Sequence, residues 1–378
     1  MPSSFGSSNY GGVSVHTLQH AELLSEYGYD VTILAVGSYL GSSFLLNSKI
    51  RVVGIPSFSV FGFLRAIYKS ISASVLIRDF RIRAIINRFL TRYKLDNLDV
   101  SVFDVVHVHS IHNQFHSVTK SAAIRRKILT VHSYDDILRS SGQTRRKYIS
   151  IHKTGQLWFD CVVHVSETDK NRSDELGLNT PNNRVIHNPV EILTSRRMAK
   201  DIDVLFVGSL TERKRPKLVL EALSKIDDKP KCKIVGQGEL LGDLKKGYGN
   251  RVDFLGAISH EKVLKLMNRS KILCVPSVSE SFGLVYVEAA LSGAAVIGYE
   301  NTIKEMSELS GLNCDEQKFF RGFSPNENDP YVLAGILEEV LRNYDSQYLT
   351  ISTSLINKLK ENFSKESYIN KIRALYEH

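Results

Sequence analysis

Short apolar runs alternate with helix-patterned stretches along the whole chain, and that alternation limits the fold more than any other feature. In the first half the runs are Val31-Thr32-Ile33-Leu34-Ala35-Val36, Val105-Val106-His107-Val108, Lys127-Ile128-Leu129-Thr130-Val131 and Cys161-Val162-Val163-His164-Val165. In the second half they are Asp203 to Val207, Cys232 to Val235, Val252 to Leu255, Lys271 to Val275 and Ala294 to Ile297, with helical stretches such as 216–226 and 259–269 between them. Runs of this kind belong in parallel sheets covered by helices on both faces. At 378 residues the chain exceeds one ordinary core. Asn188-Pro189-Val190 closes the first set, and the polar, basic stretch from Thr194 to Lys200 precedes a fresh strand, which puts a linker near 188–201. The expected fold is α/β, with two Rossmann-like doubly wound domains facing a cleft. They should occupy residues 1–190 and 200–364, followed by a terminal helical segment, 365–378. Ligand is expected at the carboxyl ends of the strands.

Composition excludes several classes. The chain is 43% hydrophobic, as a globular protein is, and has no run of eighteen apolar residues. Met1-Pro2-Ser3-Ser4-Phe5-Gly6 lacks the basic and apolar regions of a leader, so a cytoplasmic location is expected. Cys161, Cys232 and Cys274 lie in or beside apolar runs, where buried, reduced thiols sit, and no disulfide is assigned. No zinc-type spacing is present, and Asp201-Ile202-Asp203 stands where a strand begins rather than ends, so no metal site is assigned. No nucleophile elbow marks a serine hydrolase.

The sharpest local pattern lies between Glu280 and Glu288. The run Ile272-Leu273-Cys274-Val275 gives a strand, Pro276-Ser277 a loop, and Phe282-Gly283-Leu284 the start of a helix. Free N–H groups and the helix dipole favour an anion there, and Gly283 lets a ligand approach the backbone. Glu288 falls about two turns along the helix. A diphosphate for the amides and sugar hydroxyls for the carboxylates make a sugar nucleotide the matching ligand. The plainer reading is an amphipathic helix with two solvated glutamates. Farther upstream, Phe206-Val207-Gly208-Ser209-Leu210-Thr211-Glu212-Arg213-Lys214-Arg215-Pro216 places cations at a helix entrance. The plainer reading is a solvated charge run at a helix start, but positive charge there opposes the dipole, which favours a bound anion as the reason. Gly236-Gln237-Gly238 misses a dinucleotide fingerprint by one residue and is equally a tight turn. Gly11-Gly12 opens a helix running to about Tyr27. His109 and His132 end strands, where cleft residues sit. His107 shares a face with His109, so one or both could instead be core histidines. Asp135 and Asp136 could help bind an acceptor.

The segment Pro276-Ser277-Val278-Ser279-Glu280-Ser281-Phe282-Gly283-Leu284-Val285-Tyr286-Val287-Glu288-Ala289-Ala290 resembles the signature of retaining glycosyltransferase family 4, which has the two-domain GT-B fold. The resemblance runs over nearly the whole chain. It implies transfer of a hexose from a nucleoside-diphosphate sugar to a hydroxyl acceptor, with retention, no metal and no cofactor beyond the donor substrate. The acceptor would be a glycolipid, polyprenyl-linked or polysaccharide precursor. The catalytic group would be His132 and Glu280 at the transferred sugar with Lys214 and Arg213 at the diphosphate. Gly12, Gly208, Gly238, Ser281, Phe282, Gly283, Leu284, Val285 and Glu288 would bind donor, with Glu288 on the nucleotide ribose. His109 and Asp135 would lie on the acceptor side, and residues 365–377 would form a last helix that returns to the first domain. Ser209 stands where many members carry Arg, and Glu305 resembles a further family glutamate. Two other readings differ in class: a catalytically silent GT-B subunit that binds a partner or lipid, and an NAD-dependent oxidoreductase, which the absent fingerprint disfavours.

The formal net charge of +9 is unevenly spread. Residues 61–94 carry Arg65, Lys69, Arg78, Arg81, Arg83, Arg88, Arg92 and Lys94 against Asp79, interleaved with apolar residues. That pattern suits an anionic membrane surface, at the inner face of the membrane, as well as a core helix with a solvated basic face. No nucleic-acid motif accompanies it. Only Met1 to Tyr10 precede the glycine loop, without an apolar run, so the first-domain sheet is expected to lack a regular central strand or to fill it irregularly.

Overall fold

Residues 12–38, 43–45, 49–56, 102–109, 124–178, 180–190, 198–345 and 353–377 are described by the computed structural model. They fold as two units, one of Met1–His164, Asp169–Val185 and Ile372–His378 and the other of Val165–Thr168 and Ile186–Lys371. The expectations for the first ten residues and for the basic segment 61–94 lie outside the described residues.

The first unit opens with α1 (Gly12–Glu26). Gly28, at φ 91°, adopts the left-handed conformation that ends this helix, with its N–H on Ser25 O and the Tyr29 N–H on Leu24 O. Strand β1 (Val31–Ser38) pairs in parallel with β3 (Ile50–Pro56), and β2 (Ser43–Leu45) runs antiparallel on the far edge of β3. Ala21 of α1 packs on Ile33, Ile50 and Val52 of these strands. A second, all-parallel sheet has the order β4 (Val105–Val108), β5 (Arg126–Val131), β6 (Cys161–His164), β7 (Asn183–Val185). Every residue of β6 is buried, as a central strand covered on both faces requires. Among the described residues these seven strands form two sheets. The helices α2 (Asp135–Leu138), α3 (Gly142–Gln156) and α4 (Glu167–Glu175) follow β5 and β6.

The second unit holds one six-stranded parallel sheet. Its strands are β8 (Ile202–Val207), β9 (Cys232–Val235), β10 (Asp253–Gly256), β11 (Ser270–Val275), β12 (Ala295–Tyr299) and β13 (Phe320–Phe323), in the order β10-β9-β8-β11-β12-β13. This is a doubly wound sheet whose direction of winding reverses between β8 and β11, the position at which such sheets bind ligand. The connecting helices are α5 (Pro216–Leu223), α6 (Leu241–Tyr248), α7 (His260–Arg269), α8 (Leu284–Leu291) and α9 (Glu300–Leu309). After them come α10 (Cys314–Gln317), α11 (Pro330–Asn343), α12 (Thr353–Phe363) and α13 (Lys365–Glu377). Helix α8 is apolar on most of its surface and buries Tyr286, Val287, Glu288, Ala289 and Ala290 against β12, α7 and α12. Phe363, at the end of α12, accepts the Val190 N–H through its carbonyl, closing the core on the segment that starts this unit. No helix among the described residues is long and apolar enough to cross a membrane.

Candidate active site

The loops leaving β8 and β11 meet at the winding reversal, and a buried carboxylate joins them. Arg213 and Lys214 lie in a short 3-10 turn, Glu212–Lys214, rather than at the mouth of a longer helix; α5 begins only at Pro216. Glu280 is 7% exposed. Lys214 Nζ donates to its Oε1, Ser277 Oγ donates to the same oxygen at 2.5 Å, and Arg213 NH1 lies 3.5 Å from Oε2. Arg213 also donates to Ser279 O at 2.6 Å while its carbonyl accepts the Val278 N–H at 2.8 Å. Burial alone would raise the Glu280 pKa, but the Lys214 charge, the Lys214 and Ser277 hydrogen bonds and Arg213 outweigh it and hold the carboxyl below its ordinary 4.5. Two cations thus converge on one carboxylate.

Next to this cluster Gly283 caps α8 at φ 68°. A Cβ there would come within 2.6 Å of the Tyr286 ring, so both conformation and space require glycine. The Tyr286 N–H bonds the carbonyl of the cap residue Gly283 at 2.8 Å, and the dipole makes the start of α8 positive. Tyr286 is fixed beneath the turn, its hydroxyl donating to Val275 O at 2.8 Å and accepting the Tyr299 N–H. Phe282 turns its side chain into the core, 4.9 Å from the His187 ring and 5.3 Å from Phe363, so its backbone is what it offers a ligand. Ser281, Leu284 and Val285 are partly exposed. The helix begins only at Leu284, so Glu288 lies just over one turn into it rather than the two expected, and it accepts from His260 Nε2 at 2.9 Å.

Two glycine loops lie under the cations. A Cβ on Gly236, whose φ is +141°, would sit 1.8 Å from Gly208 O, and one on Gly238 would sit 2.3 Å from Leu210 O. The Leu210 N–H in turn bonds Gln237 O, and the Leu240 N–H bonds Leu210 O. Close packing of backbone on backbone is therefore a sufficient reason for these glycines, while Gly208 itself makes only ordinary contact with Lys214. Ser209 is exposed. Asp201 and Asp203, which sit at the start of β8, pair with Arg269 and Lys271.

Glu305 accepts from the Glu167 and Thr168 N–H groups at 2.6 and 3.1 Å, from Thr168 Oγ1 at 2.8 Å and from His187 Nε2 at 3.1 Å. Burial would raise its pKa, and these hydrogen bonds hold it below 4.5 instead.

In the first unit, Gly12 begins α1 and Asp135 begins α2. His109 and His132 stand just beyond β4 and β5, with His109 Nδ1 3.3 Å from His132 Nε2. They belong to a five-imidazole cluster with His16, His20 and His107. Burial and the neighbouring rings lower all five from their ordinary 6.5, His20 to about 3 and, by burial, His132 to about 4, so the imidazoles are neutral at pH 7. His107 is committed on both nitrogens, to Thr130 Oγ1 at 2.7 Å and to the Tyr376 hydroxyl at 2.8 Å.

Ser277, His260, His187, Thr168 and Tyr376 were not singled out by the sequence. Ser277 lay within the motif; the other four reach their partners only through tertiary packing and leave no local signal.

Comparison with known proteins accounts for both halves. Residues 10–192 match the family described as "Glycosyltransferase Family 4", and residues 194–353 match "Glycosyl transferases group 1". An uncharacterized glycosyltransferase of Methanocaldococcus jannaschii is 26% identical, over 95% of this chain and 92% of that protein. The Escherichia coli UDP-Gal:alpha-D-GlcNAc-diphosphoundecaprenol alpha-1,3-galactosyltransferase is 23% identical over 97% of this chain and 93% of its own length. Among solved structures, HepE of Anabaena in complex with UDP superposes with a TM-score of 0.70 at 17% identity, covering 97% of this chain and 96% of that one.

Proposed function

Because the chain belongs to the group 1, family 4 glycosyltransferases, retaining enzymes of GT-B fold, we propose that it moves a hexose from a nucleoside-diphosphate sugar to a hydroxyl acceptor. The observation that carries this reading is the convergence of Lys214, Arg213 and Glu280 beside the positive start of α8. A net positive pocket with free amides matches a diphosphate, and its charge grows as the glycosidic bond breaks. Lys214 and Arg213 stabilise the leaving diphosphate, the turn at 282–284 supplies amides, and Glu280 both orients Lys214 and accepts hydroxyls of the transferred sugar. Glu288, steadied by His260, accepts the ribose hydroxyls. His132 is assigned to the transferred sugar and His109 and Asp135 to the acceptor on the family resemblance alone. No carboxylate acts as covalent nucleophile. A diphosphate oxygen takes the acceptor proton on the face that the leaving group vacates, which gives retention, and the protein contributes position and charge.

A UDP donor and a lipid-linked acceptor are favoured by the relatives, one named for transfer from UDP-Gal to a diphosphoundecaprenol acceptor and one solved with UDP. Peripheral attachment at the inner face of a membrane would follow. The deciding experiment measures release of nucleoside diphosphate from UDP-, GDP- and ADP-hexoses with and without polyprenyl-linked acceptors. Turnover of one donor that depends on Lys214 supports the reading. Nucleotide binding without turnover of any donor would instead make this a silent GT-B subunit, a reading that Ser209 in place of the usual arginine favours.

A further inference from the structure

His187 packs on the turn at 282–284 from within the core of the second unit. It is 5% exposed, and its ring lies 4.9 Å from that of Phe282 and 5.6 Å from that of Phe363, which are themselves 5.3 Å apart. The three rings close a triangle at the distances of favourable aromatic packing. The imidazole is held from its other side, where Nε2 donates to Glu305 Oε1 at 3.1 Å, which fixes its tautomer. Glu305 is itself fully committed. Its Oε1 also accepts the Glu167 N–H, and Oε2 accepts the Thr168 N–H and hydroxyl, so the acceptor sites of the carboxylate are taken and none is left for a ligand. In doing so Glu305 joins the two segments by which the chain enters this unit, 165–168 and the one beginning at Ile186. Helix α9 reaches the turn a second time through Thr302, about one turn before Glu305 and 1% exposed, whose methyl lies 3.2 Å from where a Cβ on Gly283 would stand. The turn is thus seated on α9 at two points, by Thr302 under Gly283 and by His187 behind Phe282.

We propose that His187 is a positioning residue for the transfer: its ring, held by Glu305, sets the place of Phe282 and so aims the N–H groups of the turn at the donor diphosphate. The inference rests on the assignment of that turn to the diphosphate. Phe282 keeps its side chain in the core and offers a ligand only its backbone, so whatever fixes the side chain directs the amides. Hydrogen bonds weaken steeply as the donor is misdirected, and a misplacement of about 1 Å can cost on the order of a hundredfold in rate. Removing the ring would open a void beside Phe282 into which a packed core relaxes only in part. A plain packing role predicts a loss of stability alone. Positioning predicts a loss where negative charge on the diphosphate grows, which is in kcat and in the affinity for the departing nucleoside diphosphate.

The test compares His187→Ala, His187→Phe and His187→Gln in the full chain, by donor kinetics and by calorimetric binding of UDP, with GDP and ADP as the alternative probes. The free diphosphate carries the charge that the leaving group acquires, so its affinity reads the amides without turnover. His187→Ala should lower kcat and UDP affinity by at least about tenfold while the donor KM stays within about threefold. His187→Phe returns a ring to the same place and should bring both back to within about threefold of wild type. His187→Gln keeps an N–H for Glu305 but has no ring, and should stay low. Circular dichroism checks folding, and the two larger side chains keep the comparison open should the alanine variant not fold. Wild-type kcat and UDP affinity in folded His187→Gln overturn the proposal, as does a His187→Phe variant no better than His187→Gln. Loss of turnover in Lys214→Ala but not in His187→Gln leaves the donor reading standing and removes the role of His187. A chain that binds UDP and turns over no donor loses the transferase reading, and the UDP affinities of the three variants then decide the proposal by themselves. Failure of the wild type to bind any of the three diphosphates overturns both.

Discussion

Lys214 and Arg213 bring two positive charges to the single carboxylate of Glu280, which leaves one charge in excess where β8 and β11 end. Under the proposed reading that excess balances a bound diphosphate, and that is the physical content of the donor assignment. Lys214→Ala should lower turnover on the order of a hundredfold, as removal of a preorganised charge donor does; nucleotide release within about twofold of wild type would rule out the diphosphate role. Because Lys214 and Glu280 hold one another, the double variant should cost less than the sum of the two single ones. Glu288→Ala should instead raise the donor KM with little change in kcat, since ribose contacts are shared by ground and transition states. Glu280 and Glu288 were legible because strand, Pro-Ser, Glu and Gly-Leu stand in one short segment, and Arg213 and Lys214 because they follow a strand and Gly208 in another. His260 was not, since nothing in its own neighbourhood says that α7 will lay it against α8.

At the scale of elements, glycine has opposite consequences at two nearby places. Gly236 lies where the loop after β9 presses on Gly208 O, so Gly236→Ala should destabilise the protein by at least about 1–3 kcal/mol, read from urea midpoints. Gly242, inside α6 with open space around its Cβ position, should tolerate alanine and gain about 0.5–1 kcal/mol. Equal midpoints for the two variants would contradict this account of the loops. A second element-level effect concerns α1, β4 and β5, which meet through buried neutral imidazoles. Folded values near 3 for His20 and 4 for His132 lie below the ordinary 6.5, so the unfolded chain takes up protons first as pH falls. Stability should therefore be intact above pH 6.5 and fall between 6.5 and about 4, by about 1.4 kcal/mol per pH unit for each such histidine. Urea midpoints unchanged between pH 7 and pH 5 would refute it. Nine strands were legible from the sequence, but β2 (Ser43–Leu45), β3 (Ile50–Pro56), β7 (Asn-Arg-Val) and β13 (Phe-Arg-Gly-Phe) were not. β7 and β13 are short and carry arginine, and each becomes a strand only because a neighbouring strand supplies the ladder.

For the molecule as a whole, the surplus of positive charge bears on where a lipid-linked acceptor could be met. From Arg139 to Trp158 the sequence contains no acidic residue, and Arg139, Arg145, Arg146, Lys147 and Lys153 are all exposed. Leu138, Leu157 and Trp158 are exposed as well, at 40, 71 and 39%. Apolar side chains with a tryptophan amid basic residues are the composition of a surface that rests on anionic headgroups. This stretch of the first unit therefore joins segment 61–94 as a candidate for contact with a membrane. The expected outcome is sedimentation with anionic vesicles that falls as salt rises, and little with neutral ones. Changing Arg145, Arg146 and Lys147 together to Gln should remove about 3 kcal/mol of attraction, roughly a hundredfold in partitioning. Trp158→Ala should weaken binding in high salt as well, because it removes apolar insertion rather than charge. Both changes lie on exposed positions and should leave the melting temperature nearly unaltered. Undiminished sedimentation of both variants would discharge this face from any membrane role, and an acceptor in free solution would then become the better reading of the transfer reaction.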